Sequence, residues 1–376
     1  MADGDGVIPA RARDIEDLLH GGERPADDQA HAGNWHRPAL PGFDPEFSDI
    51  VDYILRITYW IWEGNDPELV HRYYTNDCFI HTLSGPIIGA ETVVANTAAT
   101  LEAFPDRRLF ADDVIWSEEG KAGFYTSHRI TSPMTHRGHG HWGAPTGRRA
   151  RVRTIADCLV RENMIYGEWL MRDGLAMALQ LGLDPWPLAR RQAQQALDNK
   201  ALQRWVADEV ARLHDEAGTS ALQDLPHSAP ETRACRAMGS IWSAGDLQVV
   251  REIYSPVARL HGPSGRELFG HAEIVQHARS LLAGLADVRY RIDHVAVTPG
   301  EVDTTSEPEA VSVALRWTLT GRYAEHGLYG KPTGARLFLL GATHLDMIGD
   351  RIIEEWTVFD ELAVLAQVAG ALGAAS

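Results

Sequence analysis

The sequence predicts an α+β protein built as two similar halves in tandem. Three observations carry this: helical patterns come before a run of long strand patterns, that order then starts again, and short motifs recur at a nearly fixed distance. In the first half, Ile50, Ile54, Ile57 and Ile61 fall at helical spacing, and Gly64-Asn65-Asp66 ends the pattern. A short helix is predicted from Pro67 to Tyr74, with proline in the first turn. Next come a strand at CFIHTL, a turn at Ser84-Gly85-Pro86 and a helix from Gly89 that ends before Pro105. Strand patterns follow near 108–117, 121–131, 149–161 and 164–172, interrupted by a loop rich in Gly and His at 133–147. Helices first and an antiparallel strand run second imply helices covering one face of a curved sheet.

The repeat is read from anchors. Trp62-Glu63-Gly64-Asn65-Asp66 returns as Trp242-Ser243-Ala244-Gly245-Asp246, and His81 with Ser84-Gly85 returns as His261 with Ser264-Gly265, both 180 residues later. Gly143-Ala144-Pro145-Thr146-Gly147 returns as Gly330-Lys331-Pro332-Thr333-Gly334, 187 residues later. Trp169 and Asp173 match Trp356 and Asp360 at that same distance. A series of anchors in one order is the mark of duplication. The chain therefore divides into an extension at 1–42, a first domain at 43–185, a helical linker at 186–228 and a second domain at 229–376. The extension reads as poorly ordered or docking, being rich in Gly, Pro and charge. Helix formers without Gly or Pro between Leu188 and Ala217 give the linker one or two long helices.

The balance of 35 Lys plus Arg against 52 Asp plus Glu, a net charge of -17, argues against nucleic acid or an anionic membrane as partner. Cys78, Cys158 and Cys235 are widely spaced and odd in number, so neither a disulfide framework nor a thiolate zinc site is expected. No signal-peptide core and no membrane-length apolar run is present, which leads to a cytoplasmic expectation.

At the G-x-P-T-G turn, the acidic-Trp strand and the closing Asp, the chain resembles the SnoaL-like polyketide cyclases of the nuclear transport factor two-like superfamily. Domain 2 carries the pattern most fully, in Arg316–Gly321, His326–Gly334, Ile348–Trp356 and Asp360. The resemblance implies two cone-shaped α+β barrels, each a bent antiparallel sheet wrapped around helices over a largely apolar pocket. It implies general acid/base chemistry by the Asp at the position of Asp173 and Asp360, with neither metal nor cofactor. It also implies pairing through the outer sheet face, here an internal pseudo-dimer of the two domains or a homodimer.

Read for their own chemistry, Asp173 and Asp360 are carboxylates at the ends of apolar strands. Alternation puts Trp169, Met171 and Asp173 on one face, and Trp356, Val358 and Asp360 on its equivalent. Desolvation there would raise the carboxyl pKa toward that of a general base; each Asp is equally a helix N-cap. His81 and His261 occupy matched strand positions suited to a proton shuttle. His128 precedes the loop that holds His136, His139 and His141, whose spacing and lack of nearby acids argue against metal. Asp157 and His344 align, giving an Asp–Asp set in domain 1 and a His–Asp set in domain 2. Arg129 and Arg316 are candidate substrate contacts or ion-pair partners. Trp142, Trp169, Tyr329 and Trp356 are candidate pocket residues.

The function these residues predict is cofactor-independent acid/base catalysis on a small, largely apolar carbonyl compound: aldol-type cyclisation, isomerisation or elimination. A non-catalytic binding or assembly module on the same fold is the alternative. Hydrolysis of the epoxide type is a third, since Asp157, Arg129 and Asp173 supply an Asp–Arg–Asp set.

Overall fold

Each half of the chain builds one six-stranded mixed sheet, and the two sheets share one topology. The computed structural model describes residues 40–120, 123–215, 229–299 and 310–374. The expected extension at 1–42 therefore lies outside the described residues except at its end, as does the linker segment 216–228.

In the first half, α1 (Ile50–Thr58) starts at Asp49, whose carboxylate accepts the Asp52 amide at 2.8 Å. It runs on as a π-helical turn through Glu63, keeping Ile54, Ile57 and Ile61 on one buried stripe. The short α2 (Val70–Tyr73) leads into β1 (Tyr74–His81), β2 (Ile87–Ile88) and α3 (Ala90–Ala103). The long strands are β3 (Phe110–Glu119), β4 (Gly123–Thr135), β5 (Arg149–Arg161) and β6 (Met164–Arg172). Their order is β2-β1-β6-β5-β4-β3, with β1 and β6 parallel and the other neighbours antiparallel. Strand β4 runs four residues beyond the expected end, so the His-rich loop begins at His136. A β-bulge at Tyr166 shifts the alternation of β6, so that Ile165 and Glu168 both face the helices.

Helices α4 (Gly174–Gln180), α5 (Pro185–Asp198) and α6 (Lys200–Asp215) connect the halves. Asn199 separates the last two, its side-chain oxygen accepting the Leu202 amide at 2.9 Å. The second half repeats the pattern as α7 (Pro230–Ala244), α8 (Val249–Ile253), β7 (Tyr254–His261), β8 (Glu267–Phe269) and α9 (Gly270–Leu282). It continues through β9 (Leu285–Pro299), β10 (Ala310–Tyr323), β11 (Arg336–Ile348), β12 (Arg351–Phe359) and α10 (Glu361–Ala374). Its order is β8-β7-β12-β11-β10-β9, again with one parallel pair, β7 and β12.

The outer faces of the two sheets pack against each other. Ile155 and Met171 meet Phe338, Leu340 and Val358 together with Leu202 and Trp205 of α6, while Ile115 and Tyr125 meet Ala296 and Ala314. Helix α5 lies along α10, and α6 touches β9 and β10, so the connecting helices belong to the packed body. Both faces of the central strands β4, β10 and β11 are thereby removed from water. Arg129 sits over the Trp356 ring at 3.7 Å, and Arg316 sits over the Trp169 ring at 3.5 Å, a reciprocal pair of desolvated cation–π contacts.

Candidate active site

The inner face of each sheet lines a cavity. The domain 1 cavity encloses about 820 Å³, part of it open to solvent, between α1, α3 and strands β4 to β6. Its walls are apolar, with Ile54, Ile57, Ile80, Val93, Ile130 and Leu170. Its polar groups are few: Tyr74, Asn96, Thr97, Arg107, His128, Glu168 and Arg172 among them. Glu168 is buried, and Tyr74 donates its hydroxyl to Glu168 Oε2 at 3.0 Å. Among the described residues nothing donates to Oε1 of Glu168. Burial pushes the Glu168 carboxyl up to about 7, offset in part by the Tyr74 bond and Arg172. Burial holds the Tyr74 phenol well above its usual range, so it stays a donor. His128 is pushed down to about 4 by burial and is neutral at pH 7. Among the described residues its buried Nε2 has no hydrogen-bond partner.

The domain 2 cavity encloses about 590 Å³ and is almost wholly apolar. Glu355 and Tyr254 repeat the Glu168–Tyr74 pair, the phenol again donating to Oε2 of the carboxylate. There Thr357 donates to the second carboxylate oxygen at 2.6 Å, so both oxygens are engaged. Thr357 in turn bonds Thr343 at 2.7 Å, and Thr343 accepts the Trp317 indole N–H at 3.0 Å. His277 on α9 also lines this cavity, and burial pushes it down to about 4.

Of the residues singled out from sequence, His128 lines the first cavity and Tyr329 the second. Asp173 and Asp360 line neither. Trp169, Met171 and Asp173 do share a face, as do Trp356, Val358 and Asp360, but it is the outer face, covered by the other domain. Asp173 caps α4 by accepting the Ala176 amide at 3.1 Å, and its other oxygen accepts the Ser264 amide of domain 2 at 2.7 Å. Asp360 caps α10 through the Leu362 and Ala363 amides at 3.0 and 3.3 Å. Burial raises Asp173 to about 6, with the Glu361 charge adding to it, and Asp360 to about 7, with the Asp173 charge adding to it.

The other candidates join the same domain interface. His81 stacks on Trp169 at 4.9 Å with its Nδ1 at 3.2 Å from the Glu168 carbonyl oxygen, and burial keeps it neutral. His261 stacks on Trp356 at 5.2 Å and lies between Glu267 and Glu354. Asp157 accepts from Tyr125 and from Ser127, the latter at 2.5 Å, and Ser127 meets His344 Nε2 across the interface at 2.8 Å. Asp157 thus joins His344, not Asp173. Arg129 lies 4.0 Å from Asp113, so the Asp157, Arg129 and Asp173 side chains are not gathered in either cavity. Trp142, within the His-rich loop, is partly buried and packs against a small cluster that includes Phe104, Met134 and Met177, not into either cavity. His136 of that loop is buried, with Nδ1 accepting the Thr146 amide at 3.3 Å.

Sequence reasoning passed over Glu168, Tyr74, Arg107 and Arg172. The signal for the first two was present: Glu168 and Glu355 each precede the matched Trp, and Tyr74 and Tyr254 are matched 180 residues apart.

A family model for SnoaL-like polyketide cyclases matches residues 53–181 and 232–368, more than half of the chain. The chain belongs to the SnoaL-like polyketide cyclase family. Solved structures similar to single halves of this tandem SnoaL-like protein include a protein assigned as a polyketide cyclase in Acidithiobacillus ferrooxidans, at 21% identity and TM-score 0.31, covering 39% of this chain and 99% of that one. Another is a protein assigned as a SnoaL-like polyketide cyclase in Jannaschia sp. CCS1, at 19% identity and TM-score 0.29, covering 39% and 97%. A third is AclR of Streptomyces galilaeus, assigned as a hydroxylase, at 21% identity and TM-score 0.30, covering 37% and 97%. Comparison with curated proteins returned no match.

Proposed function

We propose that domain 1 of this SnoaL-like protein is an acid–base enzyme acting on a carbonyl compound, with Glu168 as the base. The observation that supports it is the state of Glu168: buried, raised to about 7, held by Tyr74 at one oxygen and open to the cavity at the other. A carboxyl titrating near neutrality takes a proton from a carbon beside a carbonyl and can return it elsewhere. The neutral His128 lines the same cavity and can donate to the developing enolate oxygen, while Tyr74 keeps its single proton on Oε2 of Glu168. Isomerisation, elimination and aldol-type closure all begin with this step. Domain 2 carries the other reading, a binding or supporting module, because both oxygens of Glu355 are already engaged and its cavity is smaller and apolar.

The test is proton exchange in D2O. The full chain is incubated with a panel of small ketones, keto acids and keto esters, and deuterium uptake beside the carbonyl is followed by NMR. Exchange that is lost in Glu168→Gln and kept in Glu355→Gln supports the reading. Exchange that survives Glu168→Gln, or no exchange with any compound, counts against it.

A further inference from the structure

The domain 1 cavity holds two guanidinium groups that the acid–base reading does not use. Arg107, between α3 and β3, and Arg172, at the end of β6, both line it. Among the described residues neither forms an ion pair or a side-chain hydrogen bond, and the buried Nε of Arg107 has no partner. The acids around them are committed elsewhere. Glu63 pairs with Arg108 at 2.9 Å and accepts the Leu109 amide at 2.7 Å. Asp360 caps α10. Glu168 is held by Tyr74. The two cations also act on each other, since Arg172 is the main charged group disfavouring the charge on Arg107. Two like charges on one cavity wall, with the nearby carboxyls committed to other donors, leave a place that an anion would complete. Arg172 is exposed where the cavity meets solvent, and Asn96 and Thr97 of α3 add polar groups to the same wall.

Domain 2 has no such feature. Phe359 stands at the position of Arg172, and among the described residues no arginine lines its cavity. The pair of cations therefore belongs to the cavity with the open carboxyl and is not a requirement of the fold.

We infer that Arg107 and Arg172 form an anion subsite, and that the domain 1 ligand is a carboxylate with an apolar body carrying the reacting carbonyl. The guanidinium groups hold the carboxylate at the mouth, the aliphatic wall takes the body, and Glu168 is reached deeper in. This names the substrate class for the acid–base reading given above, on which it builds.

Binding is measured without turnover, so failure here is separate from failure of the proton-exchange test. Calorimetry on the full chain compares matched acid and methyl ester pairs: octanoate, cinnamate and 2-naphthoate with their esters. At least one acid is expected to bind tenfold or more tightly than its ester. Arg107→Gln and Arg172→Gln are each expected to weaken the acid about tenfold, about 1.4 kcal/mol, and to leave the ester unchanged. The double variant loses the preference for the acid. A circular dichroism spectrum matching wild type guards against misfolding. Equal affinity for acid and ester, equal losses for both in the variants, or no acid binding below millimolar concentration would each overturn the inference.

Discussion

The two cavities began as one design and now differ at almost every polar position. Both keep a tyrosine at the start of the first strand and a glutamate on the last, bonded to each other. Around that shared pair, His128 of domain 1 matches Leu315, Ile130 matches Trp317, Thr154 matches Gly341, Leu170 matches Thr357 and Arg172 matches Phe359. Two of these exchanges change what surrounds the carboxyl. Thr357 fills the second oxygen of Glu355, where Leu170 leaves that of Glu168 open. Gly341 makes room for the Trp317 ring: a Cβ at Gly341 would lie 2.1 Å from it. The ring then occupies space that stays empty in domain 1. A buried carboxylate is therefore not a base by virtue of burial; what counts is whether its hydrogen-bonding capacity is already spent.

The largest effect expected from this contrast is kinetic. Glu168→Gln should lower turnover by about 10²- to 10⁴-fold, while Glu355→Gln should change it less than about twofold; equal losses in steady-state assays would erase the distinction. Next in size is a packing effect. Gly341→Thr restores the domain 1 residue under the Trp317 ring and should cost about 1–3 kcal/mol by overpacking, read by denaturant unfolding. Thr154→Gly has no ring to relieve and should cost less.

The interface supplies a comparison in which the halves should behave alike. Arg129→Leu and Arg316→Leu each remove one of the two reciprocal ring contacts, and each should destabilise the chain by about 2 kcal/mol in thermal unfolding. A marked inequality would show that the two contacts do not contribute alike to the interface.

The smallest expected effect is on pH. Asp360 is raised from 3.8 to about 7, so the folded state binds a proton that the unfolded state releases. Its contribution is present in full below about pH 4 and is lost as pH rises through about 7. Neutral histidines such as His81 and His128 act in the opposite sense, being lowered to about 4. The clean measurement is thus a difference: Asp360→Asn should raise the melting temperature over wild type at pH 8, and the gain should shrink as pH falls through about 7 and vanish only below about pH 4.

Much of the fold could be read from sequence because it is written in period and repetition. The strand limits at 149–161 and 164–172 match those observed, and the Pro-Thr-Gly turns marked the hairpins. The site was harder for a specific reason. Alternation divides β6 into two faces but does not say which is inner, and here both are buried. Trp169 and Met171 look like lining because they are apolar, yet what they pack against is the second domain. The bulge at Tyr166 adds a shift of one residue that no local pattern announces. Arg107 lies in a connection outside the repeated motifs, and Arg172 has Phe359 as its match, so comparison of the halves hid both. Asp173 and Asp360 were found in both halves for a reason of packing: each begins the helix that seals its half against the other.

The reciprocal ring contacts reach further than adhesion. Trp169 follows Glu168 in the chain, and it is fixed from outside by Arg316 of domain 2 and by the stacked His81, whose ring nitrogen also meets the Glu168 carbonyl oxygen. The second domain thus serves as a jig for the strand that presents the carboxyl. On the proposed assignment, a half whose own carboxyl is fully engaged still sets the tolerances of its neighbour's, and that gives the second copy a reason to stay attached.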